Sequence, residues 1–466
     1  MIEKLKSICG ENYVLSGDAA DGFSHDFTRQ YAWSPLAVVR PENTAQVAEV
    51  VKLANETQTP IVPVSGNTGL AGGTKGEGAI MLSLDRMNRI REIRAEARIA
   101  IVEAGVILSQ LREAVEAQGL IFPLTFGAQG SAMIGGNLST NAGGSNVLRY
   151  GNTRDLVLGI EAVLPTGEVM DIMSELHKDN SGYNLKHLLI GAEGTLGIIT
   201  AAVVKLAPKP RAYATAMVAA PSLADALTLL NRLQIETGGA VEAFEYMPRS
   251  YIDSHLAVIE GAREPFDAPH NVNILVEIAA TAPQDATPGA DGTTPLQAHF
   301  EELLAEFYET GAVLDATLAQ NEAQRREMWA RREAAAEITL THPWRQTHDV
   351  CVPVDKVGTF IARADETSSK VDPGSRASIV SHLGDGNIHY SVWFTRNDAE
   401  LADRMMEALE DIVIDLGGSF SAEHGIGVSK RPSMARRKNK AALATMQAIK
   451  HALDPNGIMN PGKVLP

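Results

Sequence analysis

Residues 63–74 read PVSGNTGLAGGT, and this run of glycines behind a short apolar strand decides how the first half of the chain is read. Ile61–Val64 is a strand candidate, and Gly66, Gly69, Gly72 and Gly73 follow it among small side chains. Glycine lets a backbone approach a ligand closely, and successive N–H groups make a cradle for an anion such as phosphate. Upstream, Leu36–Val39 reads as a strand. Thr44 then reads as the cap of a helix, AQVAEVVKLAN, in which Val47, Val50, Val51 and Ala54 recur at helical spacing. The unit is β-α-β and ends in a ligand-binding loop.

A second cycle follows, with a strand over Ile99–Glu103 and a helix over Val106–Gln118 closed by Gly119. It leads into GAQGSAMIGGNLSTNAGGSNVLRYG (127–151), and a third glycine segment, GAEGTLGIIT, lies at 191–200. None has the GxGxxG spacing of a dinucleotide-binding Rossmann unit or the GxxxxGK[ST] of a P-loop. Glycine loops that serve only as turns account for one such segment more easily than for three. Strands at Leu156–Leu164 and Gly197–Leu206 and a boundary at Pro208-Lys-Pro210 close the region. Beyond 211, strands and helices come in mixed order, which reads as an antiparallel sheet with helices on a face, an α+β cap. Its strands are Thr215–Ala219, Val241–Tyr246, Val272–Ala279 and His348–Val352. Its helices start at Ser222 and cover 296–309, 320–337 and 354–370, with an exposed insertion at 282–295. A last helix covers about 438–453, before the tail LDPNGIMNPGKVLP.

At 466 residues the chain holds about three domains on a soft prior of roughly 150 residues each. A net charge of −16 argues against a broad surface for nucleic acid or anionic membrane. Cys9 and Cys351 are the two cysteines, so neither a disulfide framework nor a thiolate zinc cluster is expected, which fits a reducing compartment. No apolar run approaches the roughly 18 residues of a membrane span, and the start lacks a secretory core. The expected location is cytoplasmic.

Residues 381–390, SHLGDGNIHY, carry two histidines. If Asp385-Gly386 forms a two-residue hairpin turn, His382 pairs with His389, with Cβ atoms about 4.5–5.5 Å apart. A hairpin pair alone is ambiguous between a surface feature and a metal site. Glu423-His424, in the glycine-bounded SAEHGIG (421–427), shifts that balance, because two imidazoles plus one carboxylate make an open three-ligand site for a divalent cation.

PVSGNTGLAGG, GSAMIGGNLSTNAGG, KDNSGYNLKHLLIGAEGTLGIIT (178–200), HLGDGNIH (382–389), SAEHGIG and DPNGIMNPGK together resemble the FAD-linked D-2-hydroxyacid dehydrogenases of the vanillyl-alcohol-oxidase superfamily. The likeness runs in the same order over nearly the whole chain and is greatest to the D-2-hydroxyglutarate and D-lactate dehydrogenase branch. It implies an α+β protein with a two-subdomain FAD-binding domain of the vanillyl-alcohol-oxidase type over 1–210, a substrate- and metal-binding cap over 211–417, and a segment, 418–466, that returns to the flavin.

The resemblance implies that Val64, Ser65, Gly66, Asn67, Thr68, Gly69 and Leu70 hold the FAD pyrophosphate. Leu124, Ser131, Gly135, Gly136, Ser139, Thr140, Asn141, Gly143 and Gly144 would line the cofactor, Gly197 and Ile199 its adenosine end, and Asn460 would lie near the isoalloxazine. Covalently flavinylated relatives use a histidine in the first loop, sometimes with a cysteine in the second. Residues 41–75 hold no His and 125–155 no Cys, so FAD is expected to be non-covalent. His382, His389 and Glu423 carry over as metal ligands, with zinc the expected ion.

His424, titrating near neutral pH when unperturbed, is the candidate base for the substrate hydroxyl; its other reading is a residue that orients Glu423. Arg332 matches a family arginine that grips a substrate carboxylate, whereas Arg325, Arg326 and Arg331 read as a solvated helix face. Asn387 either reaches the substrate or satisfies its own hairpin. In the hydroxyglutarate branch a lysine stands two positions before the Asp of the strand leading into the cap helix, and a hydroxyl residue four after the arginine. Here those positions are Thr347 and Ala336, with Arg345 nearby, so a distal carboxylate loses two partners and D-lactate becomes a competitor. The expected partners are a 2-hydroxy acid and an external acceptor, an electron-transfer flavoprotein or a quinone, and a homodimer is compatible with the family. An O₂-using oxidase and a non-catalytic flavin electron-transfer subunit are the rivals.

Overall fold

The computed structural model describes residues 1–466 and divides them into two compact units. The first combines Met1–Gly144, Tyr150–Pro208 and Glu423–Pro466; the second combines Ser145–Arg149 with Lys209–Ala422.

In the first unit, strands Val14–Leu15, Ala37–Val39, Ile80–Ser83 and Ile61–Val64 form a four-stranded sheet in that order. Ile80–Ser83 lies between Ala37–Val39 and Ile61–Val64 and is parallel to both. The helix between them spans Thr44–Thr57 and is capped by Asn43, whose side chain accepts from Gln46 N–H. The expected cap, Thr44, instead bonds Glu161 across the unit. A second, wholly antiparallel sheet runs Ile90–Arg94, Ile99–Glu103, Ile198–Lys205, Val157–Val163, Val169–Ile172. The tail returns to the first sheet, where Ile61 N–H donates to Ile458 C=O at 2.8 Å and Asn460 N–H to Ile61 C=O at 2.8 Å. Buried Asp454 holds that tail by accepting from the backbone N–H groups of Ile458 and Met459 and from Lys450 Nζ.

The second unit is a seven-stranded sheet in the order Asp315–Leu318, Ala212–Ala220, Val272–Ala280, Val241–Pro248, Arg376–His382, Asn387–Trp393, Arg345–Cys351, with every pairing antiparallel. Period-2 alternation sends side chains to both faces, and both are covered. Val218, Phe244, Ile274 and Tyr390 face the helices Leu223–Glu236, Pro295–Glu309, Val357–Val371 and Ala399–Asp415. Met217, Met247, Leu275 and Val380 face the helices Arg249–Val258, Glu322–Glu333 and Ala335–Leu340. The helix expected over 320–337 is therefore two, divided at Ala334, and Met328 and Ile338 both reach this second core. No helix is long and apolar enough to cross a membrane.

Candidate active site

The histidine hairpin forms, with a register different from the expected one. His382 pairs with Asn387, while His389 is opposed by Val380 on one side and Asp349 on the other. A type I′ turn needs positive φ at both central residues, and of Asp385-Gly386 only Gly386 has it, at 84°. The loop is instead four residues long, with Asp385 and Gly386 N–H both donating to His382 C=O. Leu383 is wholly buried in the core, and Asp385 Oδ1 accepts from Asn387 N–H at 3.0 Å, so burial and a local side-chain cap fix the longer loop. His382 and His389 thus become diagonal neighbours on one face, which aromatic rings still bridge. Their ring centroids lie 5.4 Å apart at 81°.

Carboxylates lie behind both rings. Glu245, directly across the ladder from His382, accepts from its Nδ1 at 2.8 Å through Oε1 and from Arg332 Nε at 2.8 Å through Oε2. Its side chain is 1% exposed. Burial works to raise the Glu245 carboxyl, but His382 and Arg332 outweigh it and hold it below the usual carboxylate range. Asp349, also 1% exposed, stands 3.9 Å from His389 Nδ1. Asn387 Nδ2 donates to Asp349 Oδ1 and Val350 C=O, both at 3.0 Å, so this amide supports the acid. Asp349 also accepts from Ala422 N–H, through its carbonyl and through Oδ2, each at 3.2 Å.

The arginines of helix Glu322–Glu333 depart from the expected solvated face. Arg325 reaches buried Glu277 through Nε at 2.6 Å and Nη2 at 2.7 Å, and Arg331 is buried with Nη2 on Arg263 C=O; Arg326 remains exposed. A helix that packs on a sheet containing buried glutamates needs cations on its inner side.

In the first unit the glycine loops touch each other. A Cβ on Gly66 would lie 2.1 Å from Ser131 C=O, and one on Gly135 or Gly136 would crowd the side chain of Ser65. Asn67, Asn141 and Asn460 all adopt positive φ, which asparagine tolerates. Ser139 and Thr140 hydroxyls bond back to Gly135 and Gly136 carbonyls in helix Ile134–Thr140, and Val64, Leu124 and Ile199 are core residues. Thr68, Gly69, Leu70, Gly143 and Gly197 lie in irregular loop backbone; Gly144 packs on Thr125 C=O. Three buried polar atoms, Thr125 Oγ1, Asn137 Nδ2 and Asn460 Oδ1, have no protein partner, a donor-and-acceptor set that suits a polar cofactor. Asn460 Nδ2 is held by Gly73 and Glu193 carbonyls at 3.1 and 2.7 Å.

Glu193 was not a candidate, yet its carboxylate accepts from Ile426 and Gly427 N–H at 2.6 and 2.8 Å and so fixes the turn after His424. Burial pushes its carboxyl up against those donations. His424 Nε2 lies 3.9 Å from Glu423 Oε1, and both side chains are about one-fifth exposed, at 21% and 20%. Glu245 and Glu193 were missed for one reason: each pairs with residues far away in sequence. Glu245 did leave a signal, an acid within the apolar strand VEAFEYMP.

Residues 35–173 match the "FAD binding domain" family and residues 209–464 the "FAD linked oxidases, C-terminal domain" family. A protein of Oryza sativa subsp. indica named probable mitochondrial D-2-hydroxyglutarate dehydrogenase is 34% identical over 472 residues, spanning 100% of this chain and 81% of that one. D-2-hydroxyglutarate dehydrogenase of Stutzerimonas stutzeri is 33% identical over 479 residues, spanning 100% of this chain and 98% of that one. Among solved structures, p-cresol methylhydroxylase with substrate bound superposes with a TM-score of 0.76 at 17% identity, covering 99% of this chain and 95% of that one. The fold is the vanillyl-alcohol-oxidase type, with an antiparallel sheet of seven strands in the second unit.

Proposed function

Because the chain belongs to the FAD-linked oxidases, an FAD-dependent oxidoreductase family, we propose that it oxidises a D-2-hydroxy acid, D-2-hydroxyglutarate, D-lactate or a similar acid, to the 2-oxo acid. The observation that carries this reading is one face of the seven-stranded sheet. It presents two imidazoles 5.4 Å apart, each beside a buried carboxylate, with an arginine tied to one of those carboxylates.

FAD, when bound, supplies the acceptor for the hydride leaving C2 of the substrate. A divalent cation, zinc by its imidazole and carboxylate donors, supplies a Lewis acid that acidifies the C2 hydroxyl. His382, His389 and Glu423 would hold it; Glu423 follows Ala422, whose amide Asp349 fixes, so one peptide bond separates the carboxylate donor from that anchor. Arg332 grips the substrate carboxylate with its planar fork. His424 takes the hydroxyl proton. Asn387 acts through Asp349, and thereby on His389. The electrons pass on to an external acceptor, an electron-transfer flavoprotein or a quinone.

The test is anaerobic bleaching of the flavin by a panel of D- and L-2-hydroxy acids, with and without chelator. The reading expects bleaching by D-enantiomers, loss of turnover on chelation and recovery with Zn²⁺. Bleaching by L-enantiomers alone, or full activity after metal removal, overturns it. The panel carries D-2-hydroxyglutarate and D-lactate as separate arms, because Thr347 spends its hydroxyl on Ser391 at 2.9 Å and Arg345 Nη1 donates to His342 C=O at 2.9 Å. Peroxide formed in air would identify an oxidase, and no bleaching by any acid an electron relay.

A further inference from the structure

Glu245 is bonded to two of the candidate site residues at once. Glu242 pairs with Arg149 at 3.0 Å, and Glu277 pairs with Arg325 while accepting from Thr215 and Trp329. Glu245 divides its two oxygens between an imidazole and a guanidinium, Oε1 to His382 Nδ1 and Oε2 to Arg332 Nε. An ionised carboxylate only accepts hydrogen bonds, so the ring proton of His382 must sit on Nδ1. In the neutral ring this leaves the lone pair on Nε2, directed away from Glu245. On Arg332 the bond to Nε fixes the plane of the guanidinium and leaves the Nη1–Nη2 edge as the fork that meets a carboxylate. The arrangement has little slack. Glu245 and His382 are direct ladder partners, and the side chains of Glu245, His382 and Arg332 are 1%, 10% and 11% exposed.

Resting on the metal and substrate assignments above, we propose that Glu245 is a positioning residue that couples cation binding to carboxylate recognition by orienting His382 and Arg332 through one buried carboxylate. A carboxylate behind a ligating imidazole sets its tautomer and raises its basicity, and losing such a partner weakens metal binding by about 10–100-fold. The purely structural alternative is that Glu245 only neutralises a buried arginine. The two differ in what they predict for metal affinity.

The experiment measures Zn²⁺ affinity by competition with a chromophoric chelator on the purified flavoprotein, beside steady-state kinetics with D-2-hydroxy acids. E245Q keeps the volume but offers a single acceptor oxygen. It is expected to bind Zn²⁺ about 10–100-fold more weakly at unchanged flavin content, and to raise KM for the hydroxy acid. R332M is expected to raise KM while leaving Zn²⁺ affinity within about threefold, because His382 keeps its acceptor. Should E245Q fail to fold, E245M/R332M removes the buried pair as a unit, a replacement such sites often tolerate, and must still lose about 10–100-fold in Zn²⁺ affinity. H382A separates this inference from the reading beneath it. If the unmodified protein binds one Zn²⁺, H382A loses it and E245Q retains full affinity, the role of Glu245 is wrong while the metal site stands. If the unmodified protein binds no Zn²⁺, or H382A binds it as tightly, the metal assignment itself falls.

Discussion

Gly425, between His424 and the clamped amides of Ile426 and Gly427, has φ of 76°, and a Cβ there would lie 2.7 Å from Glu193 Oε1. G425A must strain the backbone and displace the carboxylate that fixes the turn. It is expected to lose about 1–3 kcal/mol of stability, read by urea unfolding, with a larger relative loss in kcat/KM than in flavin content. The two thiols make a second test. Burial pushes Cys9 to about 11 against the pull of Arg86, and pushes Cys351 to about 11 with help from Asp385 and Asp349. At pH 8 each is then about 0.1% thiolate, so alkylation of the native protein should be slow and become fast only on unfolding. Prompt modification of either cysteine at pH 8 contradicts this. At this scale the sequence reveals donor types but not their neighbours: His382 and His389 are legible as a pair, whereas Asp349 and Glu245 behind them are not.

Helices and strands with a clean apolar period were legible, and those without one were not. Ile61–Val64 and Ile99–Glu103 are found at the residues expected of them. Ile90–Arg94, whose burial runs intermediate-exposed-exposed-intermediate-intermediate, has no alternation to read, and the Arg249–Val258 helix follows a proline that masks its start. Helix Glu322–Glu333 is anchored by Arg325 on Glu277, where Thr215 and Trp329 also donate. R325M leaves that buried acid short of its cation and is expected to cost about 2–4 kcal/mol, measured by denaturant midpoint at constant m. Where the two glycine loops cross, G66A drives a methyl into Ser131 C=O. It should yield protein with little flavin, whereas an alanine at Gly69, where nothing lies within 4 Å, should retain more. Equal flavin occupancy in both would show that the crossing does not shape the cofactor site.

Across the whole molecule, the first unit is assembled from three stretches of chain, and its last stretch supplies backbone to the strand that launches the first glycine loop. Removing residues 454–466 takes away Asp454, the bonds to Ile61 and the Asn460 carboxamide together. The truncated protein should purify without yellow colour, and flavin retained at full occupancy would refute this role for the tail. Acid precipitation of the intact protein should release the flavin to the supernatant, because the first loop carries no histidine and the second no cysteine for a tether. Yellow precipitate contradicts non-covalent binding.

By itself the sequence determined which chemistries were available: glycine loops without a Rossmann or P-loop spacing, two histidines in one hairpin, an acid beside a third histidine, and two cysteines, too few for a thiolate zinc cluster. Those are properties of short segments, and helical and strand periods survive only over short segments. The tertiary structure decided which groups meet. It shifted the histidine ladder, set Glu245 against a histidine 137 residues away, and brought Glu193 to amides more than 230 positions later. Such neighbours follow from strand order and register, which are fixed only when every residue on both faces of a sheet finds its place at once.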